Sequence, residues 1–291
     1  MRVLIVGANG QLGRDVTAEL RSRDIDIITS DIVGECDFLL DFTDKKKTLE
    51  LVNQVEPDAI INCAAWAKVD DAEDEENKPI VYKLNVTGVE NLVEAAKNVD
   101  AKLMHISTDY VFNGEGTTPW KPDDKCFGPE GYYGETKLLG EKAAEKYIDK
   151  AFIVRIAWLF GGPVSFVNTM IKVGRNHDEV RVVNDQIGTP TYSKDLARLL
   201  VDMIQTDKYG YYHATNEGGY ISWYDFCKEI YKQADMNVKV NPVSTAEYGL
   251  SKAKRPLNSR LDKSKLVEQG FKPLPDWKDA LSRYLKEQKY V

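Results

Sequence analysis

A doubly wound α/β fold, a parallel sheet with helices on both faces and a smaller interleaved C-terminal lobe, is what this sequence predicts. Three observations carry it. Short apolar runs alternate with longer amphipathic stretches, a glycine-rich turn follows the first run directly, and the rhythm changes past about residue 160. Alternation at this spacing means βαβ units, whose right-handed crossovers bury the strands between two helical layers. A ligand then has one natural place, the crevice at the carboxyl ends of the strands.

Strands are expected at 3–6, 25–29, 59–62, 103–107 and 152–157, all short and mostly aliphatic or β-branched. Helical patterns fill the gaps at 12–21, 45–55, 84–98 and 133–147. Beyond Gly161 come a helix-like stretch at 166–174 and a strand at 180–183. A helix from 194 to about 204 and a strand near 211–214 read as returning to the main sheet. Two more helical patterns and the turn-rich run Lys252–Arg260 complete the chain, with no linker, repeat or low-complexity tract. The division is therefore 1–160, with 193–215 returning to it, and 161–291 as mainly a second lobe.

Composition narrows the function. Lys+Arg 39 against Asp+Glu 46 gives a net charge of −7, the wrong sign for a nucleic-acid or anionic-membrane partner. No apolar run approaches the roughly 20 residues that span a bilayer. Arg2–Val6 runs straight into glycines, so no signal peptide is expected and the cytoplasm is the expected location. The four cysteines form no CxxC pair and the three histidines are scattered, so no metal site is assigned. Each cysteine is expected as a small buried apolar residue.

Gly7-Ala8-Asn9-Gly10-Gln11-Leu12-Gly13 lies between the first strand and the first helix. Glycine there permits a tight turn, backbone approach to a pyrophosphate and close helix–sheet packing. The helix N-terminus adds unpaired N–H groups and partial positive charge. The GxxGxxG spacing differs from the GxGxxG fingerprint and a purely steric turn is the alternative, but its place between strand and helix reads as a Rossmann-like nucleotide site, with 1–160 expected as the dinucleotide-binding domain. Asp31, at the end of the second strand, is placed to accept from the adenosine ribose hydroxyls. Asp41 and Phe42 are expected to flank the adenine, although a core phenylalanine fits Phe42 equally well.

Tyr133 and Lys137 stand at i and i+4, a phenol and an ammonium on one helix face. A cation nearby is expected to lower the tyrosine pKa from about 10 toward neutrality and suit it to proton transfer at a carbonyl oxygen. The spacing recurs at Tyr224/Lys228 and Tyr248/Lys252, which read as surface pairs. Only the first follows a strand ending in Ser107-Thr108-Asp109, whose hydroxyls suit a substrate oxygen. Tyr132 is out of register with Lys137.

Gly7–Gly13, Ser107–Phe112 and Tyr133–Lys137 together resemble the extended short-chain dehydrogenase/reductase superfamily. Asn62–Trp66, Val69–Glu73, Arg155–Trp158, Asn184–Thr191 and Arg255–Asp262 narrow this, in order and over essentially the whole chain, to the dTDP-4-dehydrorhamnose reductase family. The resemblance implies hydride transfer from NAD(P)H to the C4 ketone of dTDP-4-dehydro-β-L-rhamnose, feeding cell-surface polysaccharide. It implies Tyr133 as proton donor, Lys137 holding Tyr133 and the nicotinamide ribose, and Thr108 on the keto oxygen. Cofactor contacts carry over to Gly10, Gln11, Leu12, Asp31, Asp41, Phe42, Ala65, Trp66 and Ala67, and sugar contacts to Thr108, Asp109 and Trp158. Cys63, Trp66, Asn113 and Tyr132 depart from the family pattern, and Trp66 is expected to reshape the nicotinamide side.

Lys252, Lys254, Arg255 and Arg260 crowd together in an acidic chain. With the resemblance, this run reads as a diphosphate clamp led by Arg255, because guanidinium forks match phosphate oxygens. Asp31 would repel a 2′-phosphate and residues 32–35 supply no arginine, which favours NADH modestly, while Arg14 complicates the choice. A homodimer and a magnesium bridge between subunits are left open. Two other readings stay in play: a reductase or epimerase for another nucleotide sugar, and a non-catalytic NAD(P)-binding regulatory subunit of the methionine adenosyltransferase type.

Overall fold

β1 (Arg2–Val6) shows how the sheet is made. Val3 and Ile5 face one helical layer, Leu4 and Val6 the other, and none of the four is more than 2% exposed. A strand buried on both faces belongs at the centre of a parallel sheet. The computed structural model, which describes all 291 residues, places it there. In chain order the other strands are β2 (Asp26–Asp31), β3 (Phe38–Leu39), β4 (Ala59–Asn62), β5 (Lys102–Thr108), β6 (Ala151–Ile156) and β7 (Gly210–His213). They pair in parallel in the order β7-β6-β5-β4-β1-β2-β3. The order reverses between β1 and β4, and this opens the crevice above their carboxyl ends.

The longer helices are α1 (Gln11–Ser22), α2 (Lys45–Val55), α3 (Gly88–Asn98), α4 (Tyr132–Glu145), α5 (Phe166–Gly174), α6 (Ser193–Ile204), α7 (Trp223–Gln233) and α8 (Trp277–Glu287), with shorter ones at Lys78–Tyr82, Thr245–Tyr248 and Ser264–Glu268. Leu12, Val16 and Leu20 of α1 and Leu196 and Leu200 of α6 cover one face of the sheet. Val52 of α2 and Val89, Leu92 and Val93 of α3 cover the other. A separate aromatic core, built on Phe160, Phe226, Trp277 and Tyr284, holds α5, α7 and α8 together. Between α4 and β6, Arg155 donates twice to the Glu141 carboxylate at 2.8 and 2.7 Å, with both residues at most 1% exposed. Such a pair survives burial because the fork and the carboxylate satisfy each other. No helix is long and apolar enough to cross a membrane.

Three expectations need correction. The helical pattern at 84–98 starts too late and is not α throughout: the helix begins at Lys78, passes through a π-helical turn at Lys83–Thr87 and continues as α3 from Gly88. The widened turn has local causes. Asn85 turns inward to bond the Trp66 and Thr136 groups, and a Cβ at Gly88 would lie 2.2 Å from the Phe42 ring. The two-residue β3 was not anticipated, being too short for any periodicity. Of the cysteines only Cys227 is buried; Cys126 lies exposed in a loop, and Cys36 and Cys63 are half-buried.

Candidate active site

The glycine turn owes its shape to two contacts. Gly7 adopts φ +80°, and a Cβ there would lie 2.7 Å from the Ala64 nitrogen at the end of β4. A Cβ at Gly13 would sit 2.0 Å from the Gly7 carbonyl, so helix and strand close up only without side chains. The first i→i−4 bond of α1 runs from Arg14 N to Gly10 O at 3.1 Å. The N–H groups of Gln11, Leu12 and Gly13 therefore precede the helix ladder, and Gly10 brings no side-chain cap. Leu12 itself is a core side chain. The Gln11 Nε2 group is buried without a partner, close to Gly161.

A cavity of about 360 Å³ opens beside this turn, lined among others by Gly7, Gly10, Asp31, Asp41, Phe42 and Ala65. Asp31 spends its carboxylate partly on the fold, accepting from Asn9 N at 2.8 Å and Ile32 N at 2.7 Å. It thus ties the glycine turn to the end of β2 as well as facing the cavity. Phe42 is 4% exposed and lies over Gly88, so it is a core ring and a cavity wall at once. Asp41 accepts from Thr43 and shapes the turn below. Trp66 is half-buried and its indole donates to Lys68 O at 2.9 Å, so the ring folds back on its own loop. Ala67 is exposed next to it.

Tyr133, Lys137, Thr108 and Asp109 come together where β5 ends against α4. The Thr108 hydroxyl donates to Asp109 Oδ1 at 3.0 Å and also faces the Tyr133 phenol. Ser107 Oγ and Asp109 Oδ2 are buried without partners. Burial pushes the Asp109 carboxyl up to about 6, against the pull of the Ser259 and Thr108 hydroxyls. Burial also pushes the Lys137 ammonium down to about 8. The expected lowering of the tyrosine pKa is overturned. Packing around the phenol, with the Asp109 charge beside it, holds Tyr133 well above the usual tyrosine range. Lys137 stands one helical turn away with its Nζ donating to the Ile106 carbonyl at 2.6 Å, and burial of the phenol is the dominant influence. Tyr132 points elsewhere, its hydroxyl on Lys78 O at 3.3 Å. The Tyr224/Lys228 pair is a surface contact, ammonium over ring.

Trp158 follows β6 in a left-handed conformation, φ +50°, and stacks on Trp223 of α7 with centroids 3.8 Å apart. Trp223 carried no signal in the sequence, because the pair forms across the lobes. Arg255 is not a free cation: it donates to Asp70 Oδ2 at 2.6 Å, Tyr110 Oη at 3.2 Å and Ser251 Oγ at 3.3 Å. Lys252 and Lys254 pair with Asp74 and Glu130. Arg260 meets only the Asn258 side chain.

Residues 1–290 match the family model described as RmlD substrate binding domain. A dTDP-4-dehydrorhamnose reductase from Clostridium acetobutylicum superposes with a TM-score of 0.93 at 40% identity, covering 99% of this chain and 100% of that one. A Bacillus anthracis dTDP-4-dehydrorhamnose reductase, solved in complex with NADP, gives 0.91 at 40% identity over 98% and 99%. The spore coat polysaccharide biosynthesis protein SpsK of Bacillus subtilis is 35% identical over 99% of this chain and 98% of its own length. With a matching model over nearly its whole length and full-length relatives at this identity, the chain belongs to the dTDP-4-dehydrorhamnose reductase family.

Proposed function

We propose that this chain reduces the C4 ketone of dTDP-4-dehydro-β-L-rhamnose to give dTDP-L-rhamnose, in the cytoplasm and as a homodimer, for polysaccharide synthesis. The observation that carries the reading is the gathering of Tyr133, Thr108 and Lys137 at the carboxyl end of β5, on the same edge of the parallel sheet as the glycine turn after β1. The residues present fit a nicotinamide dinucleotide. Free N–H groups of α1 suit the pyrophosphate, Asp31 the ribose, and the unpartnered Gln11 Nε2 awaits an acceptor. Gly7, Gly10, Gln11, Leu12, Gly13, Asp31, Asp41, Phe42 and the Ala65–Ala67 loop would hold it, with Tyr133 and Lys137 at the reacting end.

The bound dinucleotide supplies the hydride. Tyr133, protonated at neutral pH because its pKa is high, gives the Oη proton to the ketone oxygen. Thr108 orients that oxygen by hydrogen bonding. The phenolate that results is relieved by the Lys137 cation one helical turn away. The sugar rests on Asp109 and Trp158 in the cleft closed by the 161–291 lobe. The decisive assay is dinucleotide oxidation across a panel of nucleotide 4-ketosugars. Turnover of dTDP-4-dehydro-β-L-rhamnose is expected; turnover only of other sugars shifts the substrate, and no turnover returns the regulatory-subunit reading.

Three further outcomes belong to this reading. Lys137 loses its charge as the pH rises through about 8, so kcat/KM should decline on the alkaline side there, since that ratio reports the free enzyme. Lys137→Arg should move the decline upward; an unmoved limb assigns it to another group. Arg255→Ala should raise KM for the nucleotide sugar by about tenfold, the scale of a lost charge-assisted contact. The dinucleotide Kd should hold; equal weakening of both ligands means a disturbed fold.

The coenzyme preference is the third. Asp31 disfavours a 2′-phosphate, but Arg14 and Arg21 line a hollow of about 260 Å³ behind Asn9. Both coenzymes are therefore accepted, with NADH favoured by roughly tenfold, about 1.4 kcal/mol. Asp31→Asn should raise kcat/KM for NADPH more than for NADH. If wild type prefers NADPH and the substitution changes nothing, Asp31 serves only the glycine turn.

A further inference from the structure

No step of the reduction uses the acidic turn at Asp70–Asp74. Its contacts converge on the catalytic tyrosine from two sides. On one side, Glu73 Oε1 accepts from Tyr132 N at 2.8 Å, at the N-terminus of α4, where Gly131 offers no side-chain cap. Glu73 thus supplies the missing cap to the helix that carries Tyr133. On the other side, Asp70 grips the C-terminal strap. Its Oδ1 accepts from Ala253 N at 3.1 Å and its Oδ2 from Arg255 Nη2 at 2.6 Å. Asp74 adds the Lys252 ammonium at 2.8 Å.

Arg255 then passes this fixation inward. Its Nη1 donates to the Tyr110 hydroxyl at 3.2 Å. The Tyr110 ring meets Tyr133 nearly perpendicular, at 81° with centroids 5.5 Å apart. The backbone of Tyr110 is held as well, since a Cβ at Gly134 would lie 2.4 Å from its carbonyl. Tyr110 is therefore clamped at both ends, by α4 at the backbone and by Arg255 at the hydroxyl. A ring gripped this way leaves Tyr133 little freedom to swing, and positioning of the acid is worth much of its rate.

We propose that Asp70 is a positioning residue for the reduction: by holding Arg255 it seats Tyr110, and the Tyr110 ring sets the orientation of Tyr133. The inference rests on the assignment of Tyr133 as proton donor. Its consequence is that the strap of the C-terminal lobe and the proton donor keep one register. Arg255 has five N–H donors. Asp70, Tyr110 and Ser251 engage three of its nitrogens, so the same guanidinium keeps donors for a substrate diphosphate while it steadies Tyr110.

The experiment is a double-mutant cycle on kcat, with the dinucleotide Kd measured by fluorescence and the melting temperature recorded for each variant. Asp70→Asn is expected to lower kcat about tenfold and Tyr110→Phe about fivefold, while the double variant falls no further than Asp70→Asn, because both act through one chain of contacts. The dinucleotide Kd should stay within about twofold of wild type. Asp71→Asn, which disturbs only the surface pair with Lys68, should leave kcat unchanged. Losses that multiply in the double variant overturn the proposal, as does a Tyr110→Phe protein with wild-type kcat. Tyr110→Phe leaves the Asp70–Arg255 pair intact, so it decides the matter even if Asp70→Asn unfolds. Should Tyr133→Phe itself retain turnover, the proton-donor assignment fails instead, whatever the cycle reports.

Discussion

Replacing Tyr133 with phenylalanine is expected to lower kcat by about 10²-fold or more, the scale of a lost general acid, with dinucleotide binding preserved. The substitution removes one oxygen and keeps the ring, so the edge-on contact with Tyr110 survives. No neighbour stands ready to replace the proton. Tyr132 directs its hydroxyl to Lys78 O, and Tyr110, itself pushed up to about 12 by burial, is engaged by Arg255. Thr108 keeps its bond to Asp109 and still orients the ketone. Single-turnover measurement of hydride transfer, with Kd for the dinucleotide, checks the result. Near-wild-type turnover would take Tyr133 out of the mechanism.

The second large effect is on stability. Asp109→Asn should stabilise the protein at neutral pH by up to about 3 kcal/mol, because a carboxyl raised from 3.8 to about 6 is penalised when it ionises in place. In the unfolded chain Asp109 ionises near 3.8, in the folded protein near 6. Between those values the folded state binds the extra proton, so stability falls as the pH rises through that window. The whole penalty is present above about 6 and none of it well below 3.8. The asparagine variant lacks the charge, so its advantage should be full at pH 7.5 and about half as large at pH 5. Denaturant titrations at these two pH values measure it. An advantage that does not grow with pH would show that Asp109 carries no such penalty. The same substitution should weaken sugar binding. A buried carboxylate with one oxygen lacking a partner is the kind of cost a site bears for its ligand.

Much of the site was legible because it is local. Gly7, Gly10 and Gly13 mark a strand–turn–helix whatever surrounds them, and Tyr133 and Lys137 share a helix face by spacing alone. What failed depended on company, although the return of 193–215 to the main sheet was foreseen. The helix at 84–98 was legible, but not its π-helical turn, where Asn85 bonds the Trp66 loop and Gly88 packs under Phe42. The Tyr133 pKa moved up rather than down, because i,i+4 spacing says nothing about where Nζ points or how much water reaches the phenol. Arg255 looked like a free clamp in a basic run and proved to be held by Asp70, far away in sequence.

By itself, then, the sequence determined the parallel sheet, the succession of its main strands and helices along the chain, the glycine turn, and the spacing that sets Tyr133 and Lys137 on one helix face. These follow from periodicity, turn chemistry and short spacings, all set by covalent neighbours. Only the tertiary structure decided the ionisation of Asp109, Tyr133 and Lys137, the stacking of Trp158 on Trp223, and the grip of Asp70 on Arg255 beside Tyr110. Those depend on desolvation and on contacts between residues distant along the chain. Both come into being only when the lobes pack together.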